Sequence, residues 1–217
     1  MSSLWAITPE QETELLQHLR TALSIQTAKK LPIWPVEFIK KYNFPADLME
    51  RELKILEIDT AYVLKKIHEH EPIMIFHWPI EDTRFDFPPG HLPMIEETMR
   101  IRKKNESTVL TIKRKNISKE IKEREEFEVT LNNSQQFEEM FMAIWLVPVH
   151  VKRKVRYSFQ IENVTLDLDL YYGIPPLLEI EWASKDIIRE WIEKLWLGKH
   201  KVVNWSARQT LLYYGQW

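Results

Sequence analysis

Charged residues recur two positions apart at six places in this chain of 217 residues. Because successive residues of a β-strand point to opposite faces, each set places its charges on one face of a strand. Apolar residues such as Leu53, Ile101 and Leu168 line the other face. Each set carries one sign of charge, and the sets are Glu50/Glu52, Arg100/Arg102, Glu126/Glu128, Lys152/Lys154/Arg156, Asp167/Asp169 and Glu179/Glu181.

Such sets on one shared sheet surface would bind ions of both signs. Two carboxylates ~6–7 Å apart repel by roughly 2–3 kcal/mol at an effective dielectric of ~20, so several pairs need a counter-cation. Oxygen ligands without thiolate or imidazole favour Mg²⁺ or Mn²⁺. The cations are too numerous to serve only the acids, and forked Arg pairs with Lys point charges suit a triphosphate. The alternative for any single pair is a solvated sheet face.

Composition narrows the class of protein. With 30 basic and 32 acidic residues the net charge is −2, which argues against nucleic acid as a partner. Cysteine is absent, so thiolate nucleophiles and thiolate metal sites are excluded. No apolar run is long enough to span a membrane, and the polar N-terminus does not resemble a secretory signal, so we expect a soluble cytoplasmic protein. Glycine-rich phosphate loops are absent, so any phosphate must be held mainly by side chains.

The remaining pattern predicts an α+β protein with a helical N-terminal extension over residues 1–45 and one main domain over 46–217. Helices are predicted near 9–24 and 36–42 in the extension, and near 60–70 after Asp59 in the domain, with Tyr62, Val63 and Ile67 on its apolar side. Ser134, Ser184 and Ser206 are predicted to cap three more helices. The predicted strands are near 49–55, 73–78, 82–87, 95–104, 107–115, 123–131, 149–160, 163–171 and 177–183. Helices outside and charged faces inside are typical of a closed antiparallel β-barrel with a polar lumen.

The segment Glu50-Arg51-Glu52-Leu53-Lys54 resembles the ExExK signature of CYTH domains, the triphosphate tunnel metalloenzymes. The strand of Arg100 and Arg102 is similar to the RxR strand of that family, and the strand of Lys113 to its lysine strand. Four more segments follow in the family's order. They are residues 124–128, 154–156, 166–169 and 178–181, so the resemblance covers about residues 49–215.

The resemblance implies a closed eight-stranded antiparallel β-barrel tunnel with a charged lumen and helices packed outside. It assigns metal binding to the acids Glu50, Glu52, Asp167, Asp169, Glu179 and Glu181. It assigns substrate binding to Lys54, Arg100, Arg102, Lys113, Lys154 and Arg156, supported by Glu126 and Glu128. A late lysine of the family corresponds to Lys199 or Lys201. The residues expected to carry catalysis are Glu50, Glu52, Lys54, Arg100, Arg102 and Arg156.

The function implied is a Mg²⁺- or Mn²⁺-dependent hydrolase of a small-molecule triphosphate. The alternative is a class IV adenylyl cyclase that makes cyclic AMP from ATP, and a second alternative is a non-catalytic triphosphate-binding or polyphosphate-binding module. The extension over residues 1–45 has no counterpart in the compact family pattern. We expect it to pack on the barrel or across a homodimer interface, because the leucine stripe of Leu15, Leu16, Leu19 and Leu23 needs burial.

Other residues have simpler interpretations. His68 and His70 project to different sides of a helix, which disfavours a metal site there. A structural ion pair is favoured over catalysis for Asp82 and its neighbours. Packing is expected for Trp182, Trp191 and Trp196, and it is favoured over base stacking for Trp205, Tyr213 and Tyr214.

Overall fold

Nine strands and four helices make up the part of the chain that the computed structural model describes, residues 49–87, 97–105, 107–182 and 184–217. The strands are β1 Met49–Ile55, β2 Ile73–Asp86, β3 Thr98–Lys104, β4 Ser107–Lys113, β5 Lys122–Leu131, β6 Val147–Ile161, β7 Val164–Tyr171, β8 Leu177–Glu181 and β9 Val202–Val203. The helices are α1 Thr60–His68, α2 Ser134–Ala143, α3 Lys185–Lys194 and α4 Ala207–Tyr213.

The strands form one sheet in the order β5-β4-β3-β2-β6-β7-β8-β1-β9, and β5 also pairs with β1. This extra pairing closes β1 to β8 into an antiparallel eight-stranded β-barrel. One edge of β1 pairs with β8, while its other edge pairs with β5 at its start and with β9 at its end. The predicted α+β barrel is therefore confirmed.

The chain divides into two compact units. Unit 1 contains the described residues of Asp82–Arg114 and Glu126–Val151. Unit 2 contains the described residues of Met49–Glu81, Lys115–Glu125 and Lys152–Trp217. The predicted alternation of strand faces appears in both units, each with its own apolar core.

In unit 2, the apolar faces of β1, β7 and β8 pack against helices α1 and α3. Leu53, Leu168 and Ile180 belong to this core, and Ile188 and Trp191 of α3 cover them. The Asp59 side chain accepts a hydrogen bond from the Tyr62 backbone N–H at 3.0 Å and caps α1 as predicted. This core fixes the rotation of each strand and so keeps the alternate charged residues on the opposite face.

In unit 1, the apolar face of β3 packs against helix α2. Met99 and Ile101 contact Phe137, Met140 and Phe141, and all five side chains are buried. The alternate residues Arg100 and Arg102 are thereby directed away from this core.

The structure corrects several predicted details. One continuous strand, β2, replaces the predicted strands at 73–78 and 82–87. Asn133 caps α2, because its side chain accepts from the Gln136 N–H, and Ser134 is the first helical residue. Tyr62 and Trp196 are 39% and 73% exposed, so their predicted roles in core packing are wrong. The predicted extension over 1–45, with its helices, lies outside the described residues.

Two more predicted helix starts are confirmed. Ser206 and Gln209 form a reciprocal capping box at the start of α4. Ser184 occupies the N-cap position of α3, although its side chain makes no capping hydrogen bond. No helix in the described ranges is long and apolar enough to cross a membrane.

Candidate metal and polyphosphate site

Three carboxylates converge where β1 meets β8. Glu52 lies opposite Glu181 in the register of these strands, and Glu50 is the preceding residue on the same face of β1. One carboxylate oxygen from each of Glu50, Glu52 and Glu181 lies within 4.8 Å of the other two. Glu50 and Glu52 are 8% and 3% exposed. Three hard oxygen donors thus share one small space.

Buried cations adjoin this acidic triad. The ammonium groups of Lys54 and Lys122 both donate to Glu52. Lys122 also lies 3.3 Å from Glu50, and the Nε of Arg124 donates to Glu50 at 3.1 Å. These contacts neutralise two acids that could not otherwise be buried together.

Lys122 and Arg124 were not among the residues that the sequence analysis assigned to the site. They lie on β5 opposite Glu52 and Glu50, four and two residues before Glu126, so they belong to the same face of that strand. The signal was present in the alternation Lys122, Arg124, Glu126, Glu128. It was missed because the sign of the charge changes midway along the strand.

The two lysines that contact Glu52 differ in basicity. Burial lowers the pKa of Lys122 to about 8, and Lys54 and Arg124 add to this effect against the opposing pull of Glu50 and Glu52. Burial alone would also lower the pKa of Lys54, but Glu179, Glu52 and Glu50 outweigh it and raise that pKa above its ordinary value. Lys54 is therefore firmly charged, while Lys122 is the weaker base of the pair.

Arg156 on β6 organises a second group of acids in unit 2. Its guanidinium donates to Asp169 at 2.6 Å, to Glu179 at 2.7 Å, and also to Asp167. Lys154 donates to Asp169 as well. The structure therefore brings the predicted acids of β7 and β8 together around a forked base.

The pKa values of the carboxylates around Arg156 are shifted in opposite directions. Burial would raise the pKa of Glu179, but Lys54, Arg156 and Lys154 overcome it and hold that pKa well below its usual range. Burial raises the pKa of Asp167, because the attraction of Arg156 only partly offsets the lost solvation. Burial would lower the pKa of the Arg156 guanidinium, and the surrounding acids raise it well above its ordinary value.

Lys54 joins the two acidic groups into one network. Its ammonium donates to Glu52 and also lies 3.1 Å from Glu179. The lysine is 2% exposed, so its charge depends on these two carboxylates. An ion that entered the acidic triad would therefore act directly on the cation that links it to Glu179.

The predicted arginine and lysine strands form a charged cluster within unit 1. Arg102 makes a forked pair with Asp82, with distances of 2.7 and 3.1 Å. An ion pair was expected for Asp82, but Arg102 was predicted to bind phosphate and not to be its partner. Arg100 lies 3.4 Å from Glu126, and Lys113 donates to the same carboxylate.

Glu128 lies beside the same cations, and the role of Glu126 and Glu128 in supporting substrate binding stays a prediction. Glu128 accepts from the Thr111 hydroxyl at 2.9 Å. Burial would raise the pKa of Glu128, but Arg100, Arg102 and Lys113 overcome it and lower that pKa. Both acids therefore help to hold the cations of unit 1 in place.

The late lysine differs from the other predicted phosphate ligands. The Lys201 ammonium lies 3.9 Å from the centre of the Tyr213 ring and 4.7 Å from that of Trp205. It is exposed, as is Lys199. Lys201 thus makes cation–π contacts in this structure, and its assignment to phosphate stays a prediction.

An apolar cluster lies next to the charged residues of unit 2, on the same strand faces. Leu56, Tyr171 and Leu177 are each two residues from a charged residue of β1, β7 or β8. They pack with Val203 and with Leu211 of helix α4. The C-terminal helix therefore borders the network at the end of β1.

The fold and the site together define a barrel protein of the triphosphate tunnel class. The CYTH domain profile matches residues 48–204. The chain therefore belongs to the CYTH domain family.

Individual relatives agree with this assignment. A protein of Methanocaldococcus jannaschii, provisionally assigned as an adenylate cyclase, is 29% identical over 140 residues, which is 64% of this chain and 80% of that protein. The solved structure of the PH1819 protein from Pyrococcus horikoshii is 28% identical and has a TM-score of 0.63, over 76% of this chain and 98% of that one.

A more distant solved structure has the same fold. It is a Hippeastrum protein, provisionally assigned as an adenylyl cyclase, whose dominant activity is that of a triphosphatase. It is 16% identical with a TM-score of 0.59, over 78% of this chain and 96% of that one.

The acidic triad fits the divalent ion that CYTH domains use. Mg²⁺ and Mn²⁺ prefer oxygen ligands, and a Mg²⁺ ion binds them at about 2.0–2.1 Å. Two oxygens on opposite sides of such an ion are about 4.2 Å apart, and the three carboxylate oxygens, all within 4.8 Å of one another, have a spacing compatible with one shared ion. Glu50, Glu52 and Glu181 are therefore the best-placed ligands among the described residues.

Proposed function

We propose that the protein is a divalent-metal-dependent triphosphatase whose metal is held by Glu50, Glu52 and Glu181. The supporting observation is the convergence of these three carboxylates beside buried Lys54 and Lys122. This arrangement offers hard ligands for a cation and, next to them, positive charge for an anion.

The bound metal would supply Lewis-acid activation of the phosphoryl group and of the attacking water. The protein's own residues do the rest. Lys54 and Lys122 are held by the acids of the triad in the present structure. With a dication bound to Glu50, Glu52 and Glu181, these acids would attract the two ammonium groups less strongly, and Lys54 and Lys122 could then donate to phosphate oxygens.

Arg156 supplies the forked donor for the same anion. Its planar guanidinium can donate two parallel hydrogen bonds to a phosphoryl group, which a lysine cannot. By resemblance to the family, Lys154, Arg100, Arg102 and Lys113 contribute further charge. Cations that surround the transferred group stabilise the charge spread over its oxygens in the transition state.

The proposal gives two roles, holding cations and binding metal, to the carboxylates of Asp167, Asp169 and Glu179. They hold Arg156 and Lys154 in the present structure. By resemblance, they are also ligands for a metal. Substrate that draws Arg156 toward phosphate would free these carboxylates for that second role.

A class IV adenylyl cyclase is the second candidate, favoured by the assignment given to the Methanocaldococcus relative. Cyclisation uses the same metal and cations but needs the ribose 3′-hydroxyl to be aimed at the α-phosphorus. Hydrolysis requires only a water in line with a phosphorus, so it makes fewer demands on the site. We therefore place hydrolysis first.

The decisive assay incubates the protein separately with ATP and with tripolyphosphate in Mg²⁺, in Mn²⁺ and in EDTA. Release of orthophosphate that depends on metal is the expected result. Cyclic AMP with pyrophosphate would establish the cyclase instead. Tight binding of both anions without turnover in either metal would establish a binding module and overturn the proposal.

A binding experiment tests the predicted anion clamp of unit 1. Arg100→Ala and Arg102→Ala should each weaken tripolyphosphate binding by roughly tenfold or more and monophosphate binding much less, because only the longer anion reaches several cations. Isothermal titration with both anions measures the difference. Lys103→Ala, on the alternate face of β3, is the matched control and should leave both affinities unchanged. An equal loss for both anions would indicate general charge attraction instead.

A further inference from the structure

The first half of β2 is an apolar strand segment with one open edge. β2 has fourteen residues, while its neighbour β3 has seven and can pair with at most half of it. The ion pair between Arg102 and Asp82 places β3 beside the C-terminal half. Among the described strands, residues 73–78 therefore have β6 on one side and no strand on the other.

Contacts with β6 hold this segment in unit 2. His77 stacks on Tyr157 of β6, with ring centres 4.1 Å apart, and Glu81 pairs with Arg153 at 2.7 Å. Pro79 lies within the strand, and proline is tolerated there only where its nitrogen faces away from a hydrogen-bonded neighbour. We infer that Pro79 faces the open edge. The alternate residues Ile73, Ile75 and His77 then direct their backbone N–H and C=O groups toward the same open edge.

Most of the exposed side chains of this segment are apolar, and His77 is the exposed polar one. Ile73 is 68% exposed, Met74 and Ile75 are each 52% exposed, and Trp78 is 50% exposed. Monomeric proteins usually protect such edges with lysine or other charges, and residues 72–80 contain no Asp, Glu, Lys or Arg. An edge of this kind is a template for strand addition.

We propose that this edge pairs with the same edge of a second copy of the chain in an antiparallel two-fold dimer. In antiparallel pairs, outward-directed residues face one another. The outward residues between Pro72 and Pro79 are Ile73, Ile75 and His77, and their centre is Ile75. Pairing there places Ile75 opposite Ile75 and Ile73 opposite His77 of the second copy.

Several features favour a second copy over other occupants. The uncharged segment has no like charges to oppose one another across the two-fold axis, and the three opposed residue pairs would exchange about six backbone hydrogen bonds. The leucine stripe of the predicted N-terminal extension has helical spacing, and a helix cannot satisfy the open hydrogen-bonding groups of a strand. A two-fold pairing also covers the open edge of each of the two copies, so neither edge remains available to a further strand.

The test measures molar mass by light scattering over a series of protein concentrations. The unaltered chain should have twice the chain mass. Ile75→Lys and Ile75→Glu should each have the mass of a single chain, because two like charges would then face one another. An equimolar mixture of the two variants should recover the doubled mass. Ile117→Lys, which replaces a residue exposed to 72% in a loop, is the control and should remain dimeric.

Disulfide cross-linking gives a second, independent measurement, since the natural chain contains no cysteine. Directly opposed residues have Cα atoms about 5.5 Å apart, within the range of a disulfide. Ile75→Cys should therefore form a covalent dimer on oxidation, while Ile117→Cys should not. A single-chain mass for the unaltered protein would overturn the proposal. So would a dimer that survives both charged variants, or the absence of cross-linking at position 75. These outcomes do not depend on any enzymatic activity.

Discussion

Glu181→Gln is expected to lower kcat/KM for metal-dependent triphosphate hydrolysis by roughly 10³-fold, which corresponds to about 4 kcal/mol of transition-state stabilisation. The substitution keeps the size of the side chain but removes one of the three charged ligands near the proposed metal. Glu181 is also more accessible than Glu50 and Glu52, so the change should affect folding little. Steady-state kinetics with tripolyphosphate and Mn²⁺, together with a thermal melt, measure both effects.

Glu52→Gln should reduce the activity by a similar factor, but it carries an additional structural cost. Glu52 accepts from both Lys54 and Lys122, and its loss leaves two buried ammonium groups with less compensating charge. Glu123→Gln provides the matched control, because Glu123 is a β5 residue that pairs with Arg51 and lies outside the acidic triad. Full activity in Glu181→Gln would exclude that residue as a ligand.

Arg156→Ala is expected to lower the free energy of unfolding by about 3–5 kcal/mol and to weaken tripolyphosphate binding. The large cost follows because the guanidinium contacts Asp167, Asp169 and Glu179, which would be left buried with fewer cations. Denaturant titration measures the stability, and calorimetry measures the binding at a temperature where the variant is folded.

Two matched variants separate charge from geometry at this position. Arg156→Lys keeps the charge and loses the fork, so it should recover part of the stability but little of the tripolyphosphate affinity. Arg153→Ala removes an arginine of the same strand that is exposed and pairs with Glu81, and it should change neither quantity. An Arg156→Ala protein as stable as the unaltered chain would show that the ion-pair network is dispensable.

Strand alternation made much of this fold predictable. Leu53 and Ile55 face the core, and their burial fixes the rotation of β1. Glu50, Glu52 and Lys54 alternate with them and therefore lie on the opposite face. The same reasoning located the charged faces of β3, β7 and β8. Register was not predictable, since it depends on which strands become neighbours, and so the pairing of Glu52 with both Glu181 and Lys122 emerged only from the structure.

The missed details have local physical causes. Lys122 and Arg124 lie on a strand face whose charge changes sign, so they do not belong to a set of one sign of charge. Trp196 follows helix α3 with a positive φ of 59°, a position that turns its side chain away from the core although its spacing resembles that of buried residues. β2 was predicted as two strands, near 73–78 and 82–87, whereas the structure has one continuous strand that includes Pro79, a residue tolerated where its nitrogen needs no hydrogen-bonded neighbour.

Direct measurement of metal binding tests the central claim, that Glu50, Glu52 and Glu181 form a divalent-metal site. Mn²⁺ is titrated into the unaltered protein, Glu181→Gln and Glu123→Gln, and free Mn²⁺ is followed by electron paramagnetic resonance. We expect Mn²⁺ to bind the unaltered protein and Glu123→Gln with equal affinity, and Glu181→Gln at least tenfold more weakly, about 1.4 kcal/mol. Equal Mn²⁺ affinity in all three proteins, or no binding to the unaltered chain, would contradict the account.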